Sequence, residues 1–224
     1  VGLLHVVLLT DRSVEMGGWA SRNRVSPSGE APIKEHKRSV KHAKIIRSNL
    51  MAMESGFWQT LPGCMRKARG GLGVVMSKNK KWIYAIGGYN HKGEDLRSVE
   101  VYNTETCTWT FAQPMNHKRR GHGVVISPDG KKIYAIGGSN RRGMRALFSV
   151  EVLDLETHTW TMLPRMKSKR RNVGVAISPD GQLLYAVGGN DGCGDLRSAE
   201  VYHVKHQKWT YLPELGYKRR GAGV

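Results

Sequence analysis

The chain has 224 residues, 39% of them hydrophobic, which is enough for the core of one large all-β domain or two small ones. Three cysteines without a CxxC pair argue against a disulfide framework and favour a reducing, cytoplasmic location, with the nucleus as the alternative. The longest apolar run near the start, GLLHVVLL, is too short to cross a bilayer. The net charge of +18 predicts an acidic partner, which could be an acidic peptide, nucleic acid or an anionic membrane.

Residues 1–64 contain two motifs that recur later, Gly-Gly at 17–18 and Trp-Gln-Thr-Leu-Pro at 58–62. Gly17 and Trp58 are 41 residues apart, whereas the later copies are 21 to 23 residues apart, so this region is interpreted as a partial, degenerate unit with a basic insertion at about 20–47. The composition of the first half predicts disorder, and IKEHKRSVKHAKIIR could form a short basic helix. The insertion is either a nuclear-import, nucleic-acid or membrane-surface patch, or a solvated segment or gene-model artefact.

Three repeats follow, at 65–115, 116–165 and 166–214, and residues 215–224 begin a further one. Their glycine pairs, at 87–88, 137–138 and 188–189, are 50 and 51 residues apart. A tryptophan recurs at spacings of 51, 51 and 49 residues, at Trp58, Trp109, Trp160 and Trp209. A period of this length indicates a repeat architecture. Because the chain begins and ends within the pattern, we expect it to be a fragment of a longer protein.

Each repeat predicts four short strands. The first is small and glycine-rich (GVV), the second ends on the glycine pair (IYAIGG), the third reads VEVY, and the fourth starts at the tryptophan. Turn residues such as Pro-Asp-Gly separate the apolar runs, which are too short for helices. A single four-stranded sheet cannot bury both faces, so the sheets should stack radially with the small strand near the axis and the tryptophans wedged between neighbours.

The pattern resembles the kelch repeat. The resemblance rests on the double glycine, the Tyr or Leu after Val-Glu-Val (Tyr102, Leu153 and Tyr202) and the trailing Trp-x-x-Leu-Pro. It implies an all-β, kelch-type β-propeller, partial in this chain, with three full four-stranded blades and incomplete blades at both ends. Residues 215–224 would be the first strand of a further or ring-closing blade.

The resemblance also implies a partner-binding face. In kelch-like substrate adaptors, peptides dock on the loops between strands two and three and between blades, where arginines before strand one and polar residues after the double glycine make contacts. The matching residues here are Arg69, Arg119, Arg170, Arg219, Tyr89, Asn90, Ser139, Asn140, Arg141, Asn190 and Asp191. The four arginines are 50, 51 and 49 residues apart, which predicts a basic arc, and the planar guanidinium suits carboxylates. Alternatively, they pair with Glu100, Glu151 and Glu200 and hold the blades together. We also expect Arg141, Arg142, Arg145 and His91 to be exposed.

Catalysis finds little support in the sequence. There is no nucleophile motif, no GxGxxG and no P-loop, and the pair His203-x-x-His206 is interpreted as a turn, so we expect no enzyme, metal or cofactor. The favoured function is binding of an acidic partner peptide. One use would be substrate recognition for a cullin-type ubiquitin ligase, which needs a BTB domain outside this sequence. The alternative is a basic propeller that binds nucleic acid or anionic lipid, and an oxidase or epimerase is less favoured.

Overall fold

The computed structural model describes residue 61 and residues 63–223, and the predictions for residues 1–60, including the basic insertion, lie outside the described residues. None of the described residues is helical, so this part of the chain contains no helix that could span a membrane. The strands are β1 (Gly73–Met76), β2 (Trp82–Ile86), β3 (Val99–Asn103), β4 (Thr108–Ala112), β5 (Gly123–Ile126), β6 (Lys132–Ile136), β7 (Ser139–Asn140), β8 (Arg145–Ala146), β9 (Val150–Asp154), β10 (Thr159–Leu163), β11 (Gly174–Ile177), β12 (Leu183–Val187), β13 (Ala199–His203) and β14 (Lys208–Leu212).

The strands form three antiparallel four-stranded sheets. The first blade has the order β1-β2-β3-β4, the second β5-β6-β9-β10 and the third β11-β12-β13-β14. Strands β7 and β8 pair separately as a short ribbon within the second blade. The predicted all-β architecture with three complete four-stranded blades is therefore confirmed.

The inner strands lie close together, and this is why they begin with glycine. β5 lies against both β1 and β11. A Cβ atom added to Gly73 would overlap the side chain of Val124, and one added to Gly123 would overlap Val175. The glycines of β1 and β5 thus leave room for the valine of the next blade, as the composition of strand one predicts.

The tryptophans of the outer strands are all buried, and Trp160 and Trp209 lie between two blades, as predicted. Trp109 packs against its own blade and the linker that leads into it, and the preceding blade lies outside the described residues. Trp160 lies in one apolar cluster with Ile86 and Val99 of the first blade and Ile133 of the second. Its indole nitrogen donates a hydrogen bond of 3.0 Å to the carbonyl of Gln113, in the linker that joins these two blades. Each such tryptophan therefore closes one blade against the chain that leads into it.

Replacement of Trp160 by alanine should destabilise the protein by about 3–5 kcal/mol, because a large buried aromatic side chain leaves a cavity. Met162→Ala is the matched control, since Met162 lies on the same strand and is 42% exposed. Urea denaturation of both variants measures the effect. Equal stability of the two variants would contradict a structural role for Trp160.

Candidate partner-binding face

The loops between strands two and three and the linkers between blades lie at one end of the blades. This end is here called the loop face, and it comprises 63–72, 87–98, 113–122, 137–149, 164–173, 188–198 and 213–222. In each blade β-strand two ends on two glycines in the left-handed region, for example Gly137 (φ 64°) and Gly138 (φ 93°). Only glycine adopts such a pair without strain, and the chain turns there onto the loop face.

Three of the four predicted arginines are buried beneath the loop face. Arg119 donates from Nε (3.0 Å) and Nη2 (2.9 Å) to one carboxylate oxygen of Glu151, and from Nη1 to the carbonyls of Gly137 and Ser149, each at 2.8 Å. Its second Nη2 contact is the Ser149 hydroxyl, at 3.0 Å. All guanidinium nitrogens of Arg119 are therefore used within its own blade.

The same contacts recur in the other blades. Arg69 binds Glu100, and Arg170 binds Glu200, each with an Nη2–Oε1 distance of 2.9 Å and with both side chains fully buried. Burial lowers the pKa of Arg119, and the Glu151 carboxylate opposes that shift. Because a buried carboxylate and a buried guanidinium compensate each other, the pair can exist in a core that would exclude either group alone.

The glutamate also holds the start of the linker. Glu151 Oε2 accepts a hydrogen bond of 2.6 Å from the backbone N–H of Asn116. Glu151 Oε1, the oxygen that binds Arg119, accepts one of 3.1 Å from the backbone N–H of His117. The backbone carbonyl of Arg119 accepts a 2.7 Å bond from Gly88 of the preceding blade. The arginine therefore connects two blades, one through its backbone and one through its side chain.

These contacts correct the predicted basic arc. Arg69, Arg119 and Arg170 are in register, as expected, but their side chains are buried and cannot reach a partner. The alternative, pairing with Glu100, Glu151 and Glu200, is what the structure shows. Arg219 has an exposed side chain, although its backbone carbonyl accepts a bond from Gly189 as in the other blades.

Arg119→Lys should cost about 3 kcal/mol or more in the free energy of unfolding, although it keeps the charge. An ammonium group has three donors on a flexible stem and cannot reproduce the planar set of contacts, so buried acceptors lose their partners. Arg141→Lys, on the exposed ribbon, is the control and should stay within about 0.5 kcal/mol. Similar melting curves for both variants would contradict a structural role for the buried Arg119–Glu151 pair.

The next residue in the repeat faces the loops. Arg120 forms an ion pair with Asp95 of the first blade, and its guanidinium carbon lies 4.4 Å from the centroid of the Tyr89 ring. Arg171 donates to Asn190 Oδ1 at 3.0 Å and to the Gly143 carbonyl at 2.5 Å. The consecutive arginines in KRRGHG and KRRNVG were the sequence signal for these residues, and sequence reasoning chose only the first of each pair.

The predicted loop residues lie on the loop face but differ in accessibility. Tyr89 is 38% exposed, whereas Ser139 and Asn190 are buried. Asn90 and Asp191 accept backbone hydrogen bonds within their own loops, and Asn140 is half-buried. Asn90, Asn190 and Asp191 therefore shape their own loops, because their side chains accept backbone hydrogen bonds there, whereas the buried Oδ1 of Asn140 has no partner among the described residues.

The ribbon of residues 139–146 exposes three basic side chains. Arg141, Arg142 and Arg145 are exposed, as is His91 in the first blade, which confirms the expected exposure. Arg141 (φ 52°) and Arg142 (φ 60°) both adopt the left-handed region, which is unfavourable for a residue with a Cβ. The Arg142 amide donates a 2.7 Å bond to Asp95, so the ribbon is attached to the first blade.

His122 is an unexpected buried polar residue at the edge of this face. Its ring lies against Gly73 and Gly87 of the first blade, and neither ring nitrogen has a hydrogen-bond partner among the described residues. Burial, with a smaller effect from the Arg119 charge, lowers its pKa to about 3 from 6.5. The equivalent positions carry Leu72 and Val173, so an apolar residue fits this place in the other blades.

Acid should therefore destabilise the protein through His122. The unfolded chain binds a proton near pH 6.5 and the folded one only near pH 3, so stability is complete above pH 6.5 and falls as the pH drops towards 3, by about 1.4 kcal/mol per unit. His122→Leu should remove about 2 kcal/mol of the difference in unfolding free energy between pH 7 and pH 5. Identical pH dependence in denaturant titrations of the parent and the variant would refute this.

Metal binding has no support in the described part of the chain. It contains no group of three or more His, Cys, Asp or Glu residues that could hold an ion. His203 and His206 have ring centroids 6.4 Å apart, and the segment between β13 and β14 is a turn, as expected.

The three blades, with their glycine pairs and buried tryptophans, fit one family model. The model described as the KLHDC2/KLHL20/DRC7 Kelch-repeats domain matches residues 28–222. The chain belongs to this kelch-repeat family. Kelch-repeat domains are typically protein-interaction modules, and their relatives are in general non-enzymatic.

Two curated proteins are similar in sequence to short segments of this kelch-repeat chain. An F-box/kelch-repeat protein of Arabidopsis thaliana is 52% identical over 33 residues, which are 15% of this chain and 9% of that protein. An Influenza virus NS1A-binding protein homolog of Xenopus laevis is 49% identical over 51 residues, 23% of this chain and 8% of that protein. The matched segments thus span less than a tenth of each relative.

Proposed function

We propose that this kelch-repeat chain is a non-catalytic module that binds an acidic peptide segment of a partner protein on its loop face. The observation that carries the proposal is the exposed basic surface formed by the ribbon and the linkers. Its members are Lys118, Arg141, Arg142, Arg145, Arg165, Lys167 and Lys169. Within residues 63–223, none of these seven side chains forms an ion pair.

The charge is distributed unequally between the two ends of the blades. At the opposite end, Lys81 pairs with Glu105 and Lys131 with Glu156, each at 2.7 Å. These pairs offset part of the positive charge there. An acidic segment would thus be attracted to the loop face, where the arginines can bind carboxylates with two donors each.

The ribbon supports a binding role through its backbone as well. The Arg142 amide is bonded to Asp95, which is also paired with Arg120, so the ribbon is held in place against the first blade. We therefore propose that the partner contacts the exposed ribbon and linker residues instead of the buried arginines. Tyr89 and Arg219 are also accessible to it.

We further propose that the module recognises substrates for a cullin-type ubiquitin ligase and acts in the cytoplasm or nucleus. The support is membership of the kelch-repeat family and a relative whose name joins an F-box to kelch repeats. Such a role would require a BTB or equivalent assembly domain in the same protein or in a bound one.

Charge reversal of the ribbon tests the binding face. The triple variant Arg141→Glu, Arg142→Glu and Arg145→Glu should weaken binding of acidic peptides at least about tenfold, because three attractive contacts become repulsive. Lys78→Glu, Lys132→Glu and Lys205→Glu, exposed at the opposite end, make the same change in net charge and should alter affinity less than about twofold. Fluorescence anisotropy with a set of acidic peptides measures both.

The same titrations distinguish the nucleic-acid alternative. A peptide-binding module should select among acidic sequences of equal charge, and a duplex of random sequence should compete weakly at physiological salt. Equal binding of every peptide, together with duplex binding that falls steeply with salt, would contradict the proposal and favour a phosphate-binding surface.

A further inference from the structure

One cleft on the loop face departs from the repeat. It has a volume of about 490 Å³ and is lined by Phe148, Arg165, Met166, Lys167 and Lys169. Phe148 lies just before β9 of the second blade, and the other four residues belong to the linker from the second blade to the third. The cleft therefore lies where these two blades meet.

The side chains that distinguish this cleft are absent from the equivalent positions of the other blades. The Leu-x-Ser sequences at 96–98, 147–149 and 196–198, and the buried arginines, set the alignment. Phe148 corresponds to Arg97 and Arg197, Arg165 to Pro114 and Glu214, and Lys167 to Asn116 and Gly216. An aromatic side chain flanked by cations thus occurs at this cleft and at neither equivalent place in the described part of the chain.

The cleft combines an apolar surface with positive charge. The guanidinium carbon of Arg165 is 5.0 Å from the centroid of the Phe148 ring. On the other side of the linker, Lys167 Nζ is 5.8 Å from the ring of Tyr211, which is 55% exposed. At the equivalent place in the third blade, Arg197 faces Glu214 at 3.6 Å, so that charge is locally compensated.

The linker that carries these cations is rigidly held. The Lys167 amide donates a 2.6 Å bond to the buried carboxylate of Glu200, and the Met166 amide donates a 2.9 Å bond to the Phe148 carbonyl. Met166 is itself 2% exposed, so it anchors the floor of the cleft. A partner would meet a preformed surface and would lose little conformational entropy of the linker on binding.

We propose that this cleft receives an aromatic side chain of a peptide whose neighbouring residues are Asp or Glu. The inference rests on the proposed function and names the class of sequence that the loop face selects. The aromatic ring would pack against Phe148 and the aliphatic stems of the linker lysines, while the flanking carboxylates would contact Arg165, Lys167 and Lys169.

Two capped, fluorescein-labelled peptides test the cleft, Asp-Glu-Phe-Glu-Asp and the same peptide with Ala in place of Phe. The parent protein should bind the Phe peptide at least about tenfold more tightly than the Ala peptide. Phe148→Arg, which copies Arg97 and Arg197, should remove that preference. Because Phe148→Arg adds a positive charge, attraction by charge alone predicts that the variant binds both acidic peptides more tightly. The cleft proposal predicts instead that the variant binds the Phe peptide more weakly than the parent does.

Two further variants serve as controls. Arg165→Glu, which copies Glu214, should weaken both peptides, whereas Arg197→Phe places an aromatic residue beside Glu214 and should leave both affinities unchanged. All three variants use side chains already present at equivalent positions, and melting temperatures check that each folds. The cleft proposal would be contradicted if Phe148→Arg still preferred the Phe peptide to the Ala peptide. It would also be contradicted if the parent did not bind the Phe peptide at about 1 mM.

The ribbon triple variant, titrated with the same peptides, separates the two proposals. If it weakens both peptides while Phe148→Arg keeps the preference for Phe, the loop face binds acidic peptides and the cleft proposal fails. If neither the ribbon nor the cleft variants change any affinity, both proposals fail.

Discussion

The buried Arg–Glu pair is the interaction on which the rest of the molecule depends. In each blade the carboxylate lies on strand three, the arginine lies at the end of the incoming linker, and the guanidinium also binds the first carbonyl of the glycine pair. One ion pair thereby fixes the position of the linker, the turn after strand two and the start of strand three. The glycines, the inner strand and the loop face all take their positions from it.

The energetics of this pair explain why it is completely satisfied. Removing a carboxylate and a guanidinium from water is costly, and the mutual attraction repays that cost only when every donor and acceptor is used. Glu151 accepts bonds from two linker amides in addition to Arg119, and Arg119 uses all its nitrogens. An apolar replacement could supply burial, but it could not specify where the linker must sit. We infer that the pair contributes register more than net stability.

Three consecutive residues, 118–120, have three different environments in the linker between the first and second blades. Arg119 points into the blade, Arg120 joins neighbouring loops, and Lys118 is exposed. Because Arg69, Arg119 and Arg170 are used internally, the exposed positive charge of the loop face comes from other residues, chiefly those of the ribbon and of the second linker. A repeat protein can thus keep one architecture while each blade presents different chemistry.

The sequence by itself determined the architecture, because a period of about 50 residues, glycine pairs and tryptophans in one register predict four-stranded blades whose packing is repeated. It could not decide whether Arg69, Arg119 and Arg170 were ligands or clamps, since an arginine in register suits either role. Only the tertiary structure brought Glu100, Glu151 and Glu200, some 30 residues away in the chain, into contact with them. It also showed His122 buried without a partner and Phe148 flanked by cations, because burial and proximity depend on how one blade packs against the next.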